Sequence, residues 1–260
     1  MKDIYFYENN FPNELGYLGE KELPRIFDKH LQNDFDNMSN FEQQFYVANG
    51  RELPKDKFKY LHIYDYLLKS AVYNDIKIWP NRIAGYSGAS QNSSFGTISA
   101  ASCCMESKIM GYVPLTKSYE TFVEINKIKN NKTIKELSKM ITPNGYGRPK
   151  FGKDERVILF KEKFINDEFL NDFPTVKLAF NIEKELDGNM FLNYGGLGAA
   201  FIVDFGITMK EYKNAHLLVF MQVSHGIKEF VLENTPNEKF LPVRSEKIIY
   251  EGSFKIGRKW

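Results

Sequence analysis

The stretch Ile76–Ser102, IKIWPNRIAGYSGASQNSSFGTISAAS, decides how the fold is read. It opens with a short alternating apolar segment at Ile76–Trp79 and reaches the lone arginine Arg82. It then crosses a loop of small residues and enters a second apolar segment at Gly96–Ala100. Alternation over a few residues is the mark of a half-buried strand. The spacing therefore predicts two short strands joined by a loop.

Upstream of this stretch the pattern is helical. Residues 1–20 are polar and Gly-punctuated and read as an N-terminal arm, leaving 21–260 as one globular domain with a candidate sub-boundary near 165–175. Glu20–Phe35 carries Leu23, Ile26, Phe27 and Leu31 at helical spacing, and Asn37–Val47 suggests a second helix with Ser39 as its N-cap. Asp56–Tyr73 is the clearest helix, because Tyr60, Ile63, Tyr64, Leu67, Leu68 and Ala71 form one apolar stripe. That stripe reads as core.

Downstream, apolar runs predict strands at Thr121–Ile128, Arg156–Phe160, Val176–Ile182, Ala199–Phe205, Leu217–Val223, Phe230–Leu232 and Ile248–Tyr250. A helix at Lys132–Ile141 interrupts them, and the Gly/Pro loop Thr142–Lys153 follows it. Helices first and strands later predict an α+β fold, with N-terminal helices packed on a mixed, mainly antiparallel β-sheet core. There is also an internal echo: FGTISAAS (Phe95–Ser102) resembles YGGLGAAF (Tyr194–Phe201), and each precedes an apolar run.

Composition sets the outer bounds. With 260 residues, 43% hydrophobic and 15% aromatic, the chain is long and apolar enough to bury a substantial core. Its wealth of Lys, Asn, Ile, Phe and Tyr is what AT-rich coding produces, which points to a bacterial, phage or viral source. A net charge of +2 argues against a large electrostatic footprint for duplex DNA. The two cysteines, Cys103 and Cys104, are adjacent and read as buried thiols in a reducing compartment. The four histidines lack metal-ligand spacing, so no metal site is expected. The segment MKDIYFYENN has no apolar run of signal-peptide length, and no run is long enough to span a membrane. The expected location is the cytoplasm, with signal-less secretion and virion association left open.

The common catalytic motifs are missing. There is no phosphate loop, and Gly195-Gly196-Leu197-Gly198 reads as a bend. There is no G-x-S-x-G. Asp204 ends an apolar run as a nuclease metal ligand would, but the later segment Met221–Ser224 lacks the accompanying lysine. Lys127, Lys129, Lys132, Lys135, Lys139, Arg148, Lys150 and Lys153, interleaved with Tyr146 and Phe151, form a basic cluster that reads as a solvated face or a nucleic-acid groove.

One constellation resembles a known family. YDYLLKSAVYND running into IKIWPNRIAG, the segment FGTISAAS, and KTIKELSK followed by KDERVIL resemble the core of the bacterial and phage mono-ADP-ribosyltransferases. The C-terminal NEKFLPVRSEKI resembles the last of these segments equally well. The resemblance implies NAD as substrate and a protein or nucleic-acid acceptor. It implies Arg82 on the NAD diphosphate, Ser99 as the orienting hydroxyl, and Glu155 or Glu238 as the catalytic carboxylate. The chemistry is coherent: an arginine fork suits phosphate, and a carboxylate steadies an oxocarbenium-like ribose. The alternatives are a non-catalytic structural or binding protein of phage or viral type and a nucleic-acid-processing enzyme.

Overall fold

A computed structural model of the chain describes residues 34–72, 78–140, 145–147, 152–186, 188 and 190–234, together with the backbone of four short strands before them. Those strands, β1 (Ile4–Tyr5), β2 (Gly16–Leu18), β3 (Arg25–Ile26) and β4 (Lys29–His30), pair in sequence order as a small antiparallel meander. Among the described residues from Asn40 onward the regular structure is helical. The helices are α1 (Asn40–Asn49), α2 (Leu61–Ala71), α3 (Trp79–Ala89), α4 (Ser94–Cys103), α5 (Tyr112–Ile128), α6 (Ile134–Met140), α7 (Glu155–Phe164), α8 (Asp167–Asp172), α9 (Pro174–Glu185), α10 (Tyr194–Phe205) and α11 (Met209–Asn234).

This corrects the expected α+β sheet core. Gly96–Ala100 lies in α4, Thr121–Ile128 in α5, Arg156–Phe160 in α7, Val176–Ile182 in α9, Ala199–Phe205 in α10, and Leu217–Val223 and Phe230–Leu232 in α11. Of Ile76–Trp79, Ile78 caps α3 and Trp79 is its first residue, and Ile76, Lys77 and Ile248–Tyr250 lie outside the described residues. β3 and β4 also occupy part of the stretch expected as a helix at Glu20–Phe35. The physical reason is burial. A helix enclosed by other helices is apolar on every side, and a short apolar run from it cannot be told from a buried strand by periodicity. α10 is the extreme case, with nine of its 12 residues buried.

The local signals that do hold are caps and stripes. Ser39 closes a capping box with Glu42 at the start of α1. In α2, Ile63, Tyr64, Leu67 and Leu68 are buried as one stripe. The echoed segments are both helix starts. Ser93 Oγ accepts from Gly96 N at 3.1 Å, and Asn193 Oδ1 accepts from Gly196 N at 2.9 Å. Both segments are thus small-residue helix starts, with the cap two residues before Phe95 in one and one residue before Tyr194 in the other.

α10 sits at the centre, packed against α5, α9 and α7. α11 packs against α1, α3 and α4, and α3 packs against α4. Asp204, near the end of α10, accepts from Thr175 N at 2.7 Å and Val176 N at 3.0 Å, so it caps α9. Burial pushes its pKa up against these bonds. A backbone-capping carboxylate of this kind explains Asp204 without a metal, and no cluster of metal-ligating side chains occurs among the described residues.

The first turn of α10 is placed by a close backbone approach. A Cβ at Gly196 would lie 2.2 Å from the Gly145 carbonyl oxygen. The glycine run expected to be a bend is thus the entry of a buried helix, with its missing side chains allowing the 145–147 segment to lie against it.

Two substitutions test this packing. Gly196→Ala forces the Gly145 backbone away and is expected to lower stability by roughly 1–3 kcal/mol. Gly85→Ala, inside α3 where a Cβ meets nothing within 4 Å, is expected to raise it by about 0.5–1 kcal/mol. Urea unfolding of the two variants checks both signs.

Candidate functional site

A cavity of about 190 Å³ opens between α2, α5, α7, α10 and α11, and Tyr64, Tyr112, Arg156, Tyr194, Phe201 and His216 are among the residues lining it. Each side chain arrives there for a local reason. Tyr64 belongs to the buried stripe of α2. Tyr112 is the first residue of α5, set by Gly111 at φ +89°, where a Cβ would lie 2.3 Å from the Met105 carbonyl oxygen. His216 lies four residues after Tyr212 and four before Phe220 on α11, and its ring stacks on both, with centroids 5.5 and 6.4 Å away.

The start of α11 is anchored twice. Thr208 and Glu211 form a reciprocal cap, with Thr208 N donating to Glu211 Oε2 at 2.7 Å. Glu211 also receives the guanidinium of Arg51, which follows α1. This holds the Tyr212–His216 turn in place against the cavity.

His216 is 2% exposed. Its Nδ1 lies 2.8 Å from the Tyr112 hydroxyl, and its Nε2 has no hydrogen-bond partner among the described residues. Burial pushes its pKa down to about 4, so the ring is neutral at pH 7. The hydroxyl of Tyr64, a fully buried residue, also has no partner among the described residues. Burial pushes the Tyr112 and Tyr64 phenols up, so both keep their protons.

Arg156 enters the wall as half of an ion pair. Its Nε donates to Asp154 Oδ1 at 3.0 Å and its Nη2 to Asp154 Oδ2 at 2.9 Å. The guanidinium lies over the Tyr194 ring, 4.4 Å from its centroid. Asp154 is 2% exposed and also accepts from Tyr194 N at 3.1 Å. Burial raises its pKa, but the bonds and charge of Arg156 and the backbone donors of Tyr194 and Arg156 outweigh burial and leave it below the ordinary carboxylate value. Tyr194 in turn donates its hydroxyl to the Leu67 carbonyl of α2. Arginine, carboxylate and aromatic ring therefore form one fixed unit in the wall.

The residues singled out from the sequence lie elsewhere. Arg82 is exposed on α3 and Ser99 is exposed on α4, two helices that pack together. Glu155 is half-buried at the first residue of α7, which packs against α10. Glu238 lies outside the described residues. Cys103 is exposed and Cys104 half-buried, so the pair is not a buried one. Of the basic cluster, Lys127, Lys132, Lys135 and Lys139 are exposed along the end of α5 and α6, and Arg148, Lys150 and Phe151 lie outside the described residues. Among the described residues, no helix is long and apolar enough to cross a membrane.

Sequence reasoning missed Arg156 and the place of Tyr64 and His216 in the cavity wall. The signal for His216 was the i, i+4 series Tyr212, His216, Phe220, which a strand beginning at Leu217 cuts in two.

No family model matches the chain, and no curated protein matches it in sequence. Among solved structures, citryl-CoA lyase from Hydrogenobacter thermophilus matches with a TM-score of 0.68 and 17% identity, covering 96% of this chain and 97% of the other. The shared property is the fold. It overturns the resemblance to mono-ADP-ribosyltransferases, and with it the transferase function and NAD as substrate. Arg82, Ser99 and Glu155, which that resemblance set on or beside strands, lie on the helices α3, α4 and α7.

The buried imidazole makes a pH prediction. The unfolded chain takes up a proton at His216 near pH 6.5, whereas the folded chain does so only near 4. Between those values the unfolded state holds more protons, so acidification removes stability. Relative to His216→Gln, the wild type is expected to lose up to roughly 3 kcal/mol between them. Denaturant titrations of both proteins at a series of pH values measure the difference, and a pH-independent difference would contradict the assignment.

Proposed function

We propose that the chain is an enzyme that binds a small carboxylic acid, free or as an acyl thioester, in the cavity between α2, α5, α7, α10 and α11. The observation that carries this reading is Arg156, held by Asp154 and Tyr194 in the wall of a mainly apolar cavity. A guanidinium whose orientation is fixed by a buried carboxylate attracts an anionic group without having to be ordered at the moment of binding. The apolar remainder of the wall suits a short carbon chain.

Likeness in fold to a citryl-CoA lyase supports acyl chemistry over nucleotide chemistry, and makes cleavage or formation of a carbon–carbon bond next to an acyl group the reaction class to test first. His216, neutral at pH 7, would serve such a reaction as a hydrogen-bonding group rather than as a charged acid.

The test is thermal unfolding with citrate, pentanoate or CoA added. A ligand at about 100 times its Kd stabilises the fold by about 2.7 kcal/mol, which for a chain of this size corresponds to a rise in Tm of roughly 5–10 °C. At least one carboxylate is expected to give such a rise, and Arg156→Gln is expected to lose it. Unchanged melting with all three compounds would overturn the reading.

A further inference from the structure

Away from the cavity, Lys127–Lys139 carries five lysines against one glutamate, a net +4 in a chain whose total is +2. The small net charge of the chain therefore conceals a local excess, spread over the end of α5, the turn Lys129–Asn131 and α6. Lys127, Lys132, Lys135 and Lys139 are exposed. α6 buries Leu137 and Ser138 and packs on α9, which adds Lys177 and Lys184, both exposed.

Carboxylates do not neutralise this face. Elsewhere Lys29 pairs with Glu52, Lys59 with Asp172, Lys69 with Asp65 and Lys228 with Glu229. Among the described residues, Lys127, Lys132, Lys135, Lys139 and Lys177 form no ion pair. Glu136 feels the charges of Lys132 and Lys139, and Asp204 feels that of Lys129. Both carboxylates are spent on helix caps. Glu136 Oε2 accepts from Thr133 N at 2.7 Å and from its Oγ1 at 2.8 Å, and Asp204 caps α9. Lys135 and Lys139 lie one turn apart on α6, so they share a side of the helix.

We propose that this face binds the phosphate backbone of a double-stranded nucleic acid without reading its sequence. Lysine is a mobile point charge that meets phosphate without fixed geometry. Nucleic-acid interfaces are strongly positive, whereas protein interfaces are depleted of lysine. A single strand would need exposed rings on which to stack its bases. Tyr146, the ring nearest in sequence, is buried and donates its hydroxyl to the Ala179 carbonyl. A helix lying on a membrane needs an apolar face open to the lipid, and α6 exposes Met140 alone of its large hydrophobics. This inference is independent of the acid-binding cavity.

The test is fluorescence anisotropy of a labelled DNA duplex of about 20 base pairs titrated with the full chain. Neutralising about four phosphates gives a slope of log affinity against log salt near −4, so affinity is expected to fall on the order of a hundredfold between about 50 and about 200 mM salt. The triple variant Lys132→Gln, Lys135→Gln, Lys139→Gln is expected to bring that slope near −1. Glutamine and lysine have similar helix propensity, so α6 is kept. A second triple variant, Lys55→Gln, Lys69→Gln, Lys210→Gln, removes the same charge elsewhere and is expected to leave the slope unchanged.

No change in anisotropy at about 50 mM salt with protein at about 0.1 mM, the weak end of non-specific affinity, would overturn the proposal. Equal losses in the two triple variants would overturn it in favour of a net-charge effect. Tighter binding of a single strand of the same length, or binding of phosphatidylserine vesicles with none of the duplex, would overturn the assignment of the partner.

Discussion

The structure depends on a column of stacked rings. Phe169 stacks on Phe173 at 4.4 Å, Phe173 on Phe201 at 4.8 Å, and Phe201 on Phe205 at 5.2 Å, with Tyr64 meeting Phe205 at 5.0 Å. Phe173, Phe201, Phe205 and Tyr64 are fully buried. Each ring removes about 150–250 Å² from water, and the offset geometry adds to that. The column joins α8, the entry to α9, the length of α10, and α2. It therefore fixes α10 against α2, and these two helices supply Phe201 and Tyr64 to the cavity wall.

The cavity inherits its chemistry from this frame. In its wall Asp154 and Tyr194 fix the guanidinium of Arg156 as one half of an ion pair. Burial holds His216 neutral and keeps the phenols of Tyr112 and Tyr64 protonated.

The sequence is legible where a helix keeps one wet face. The apolar stripe of α2 and the Ser39 capping box of α1 can be read directly, because their polar faces mark the period. Legibility fails where helices are enclosed. α10 has no polar face to reveal its 3.6-residue repeat, and α4 is built of residues too small to show one. Leu217–Val223 reads as a strand because it is a short apolar window of a 26-residue helix. That error also hid the site, for His216 belongs to a helical series whose members fall on both sides of the window's edge. Arg156 was legible only as the start of an apolar run. Its importance lies in Asp154, two residues earlier, and in Tyr194 on another helix. Such partners are brought together by folding, and no spacing in the chain announces them.

The measurement that addresses the central claim most directly is a neutron diffraction structure of the crystallised protein, since it places the hydrogens that X-rays leave to inference. The account predicts a single deuteron on the His216 imidazole at pH 7 and a hydrogen bond between its Nδ1 and the Tyr112 hydroxyl. Deuterons on both ring nitrogens at that pH would contradict it.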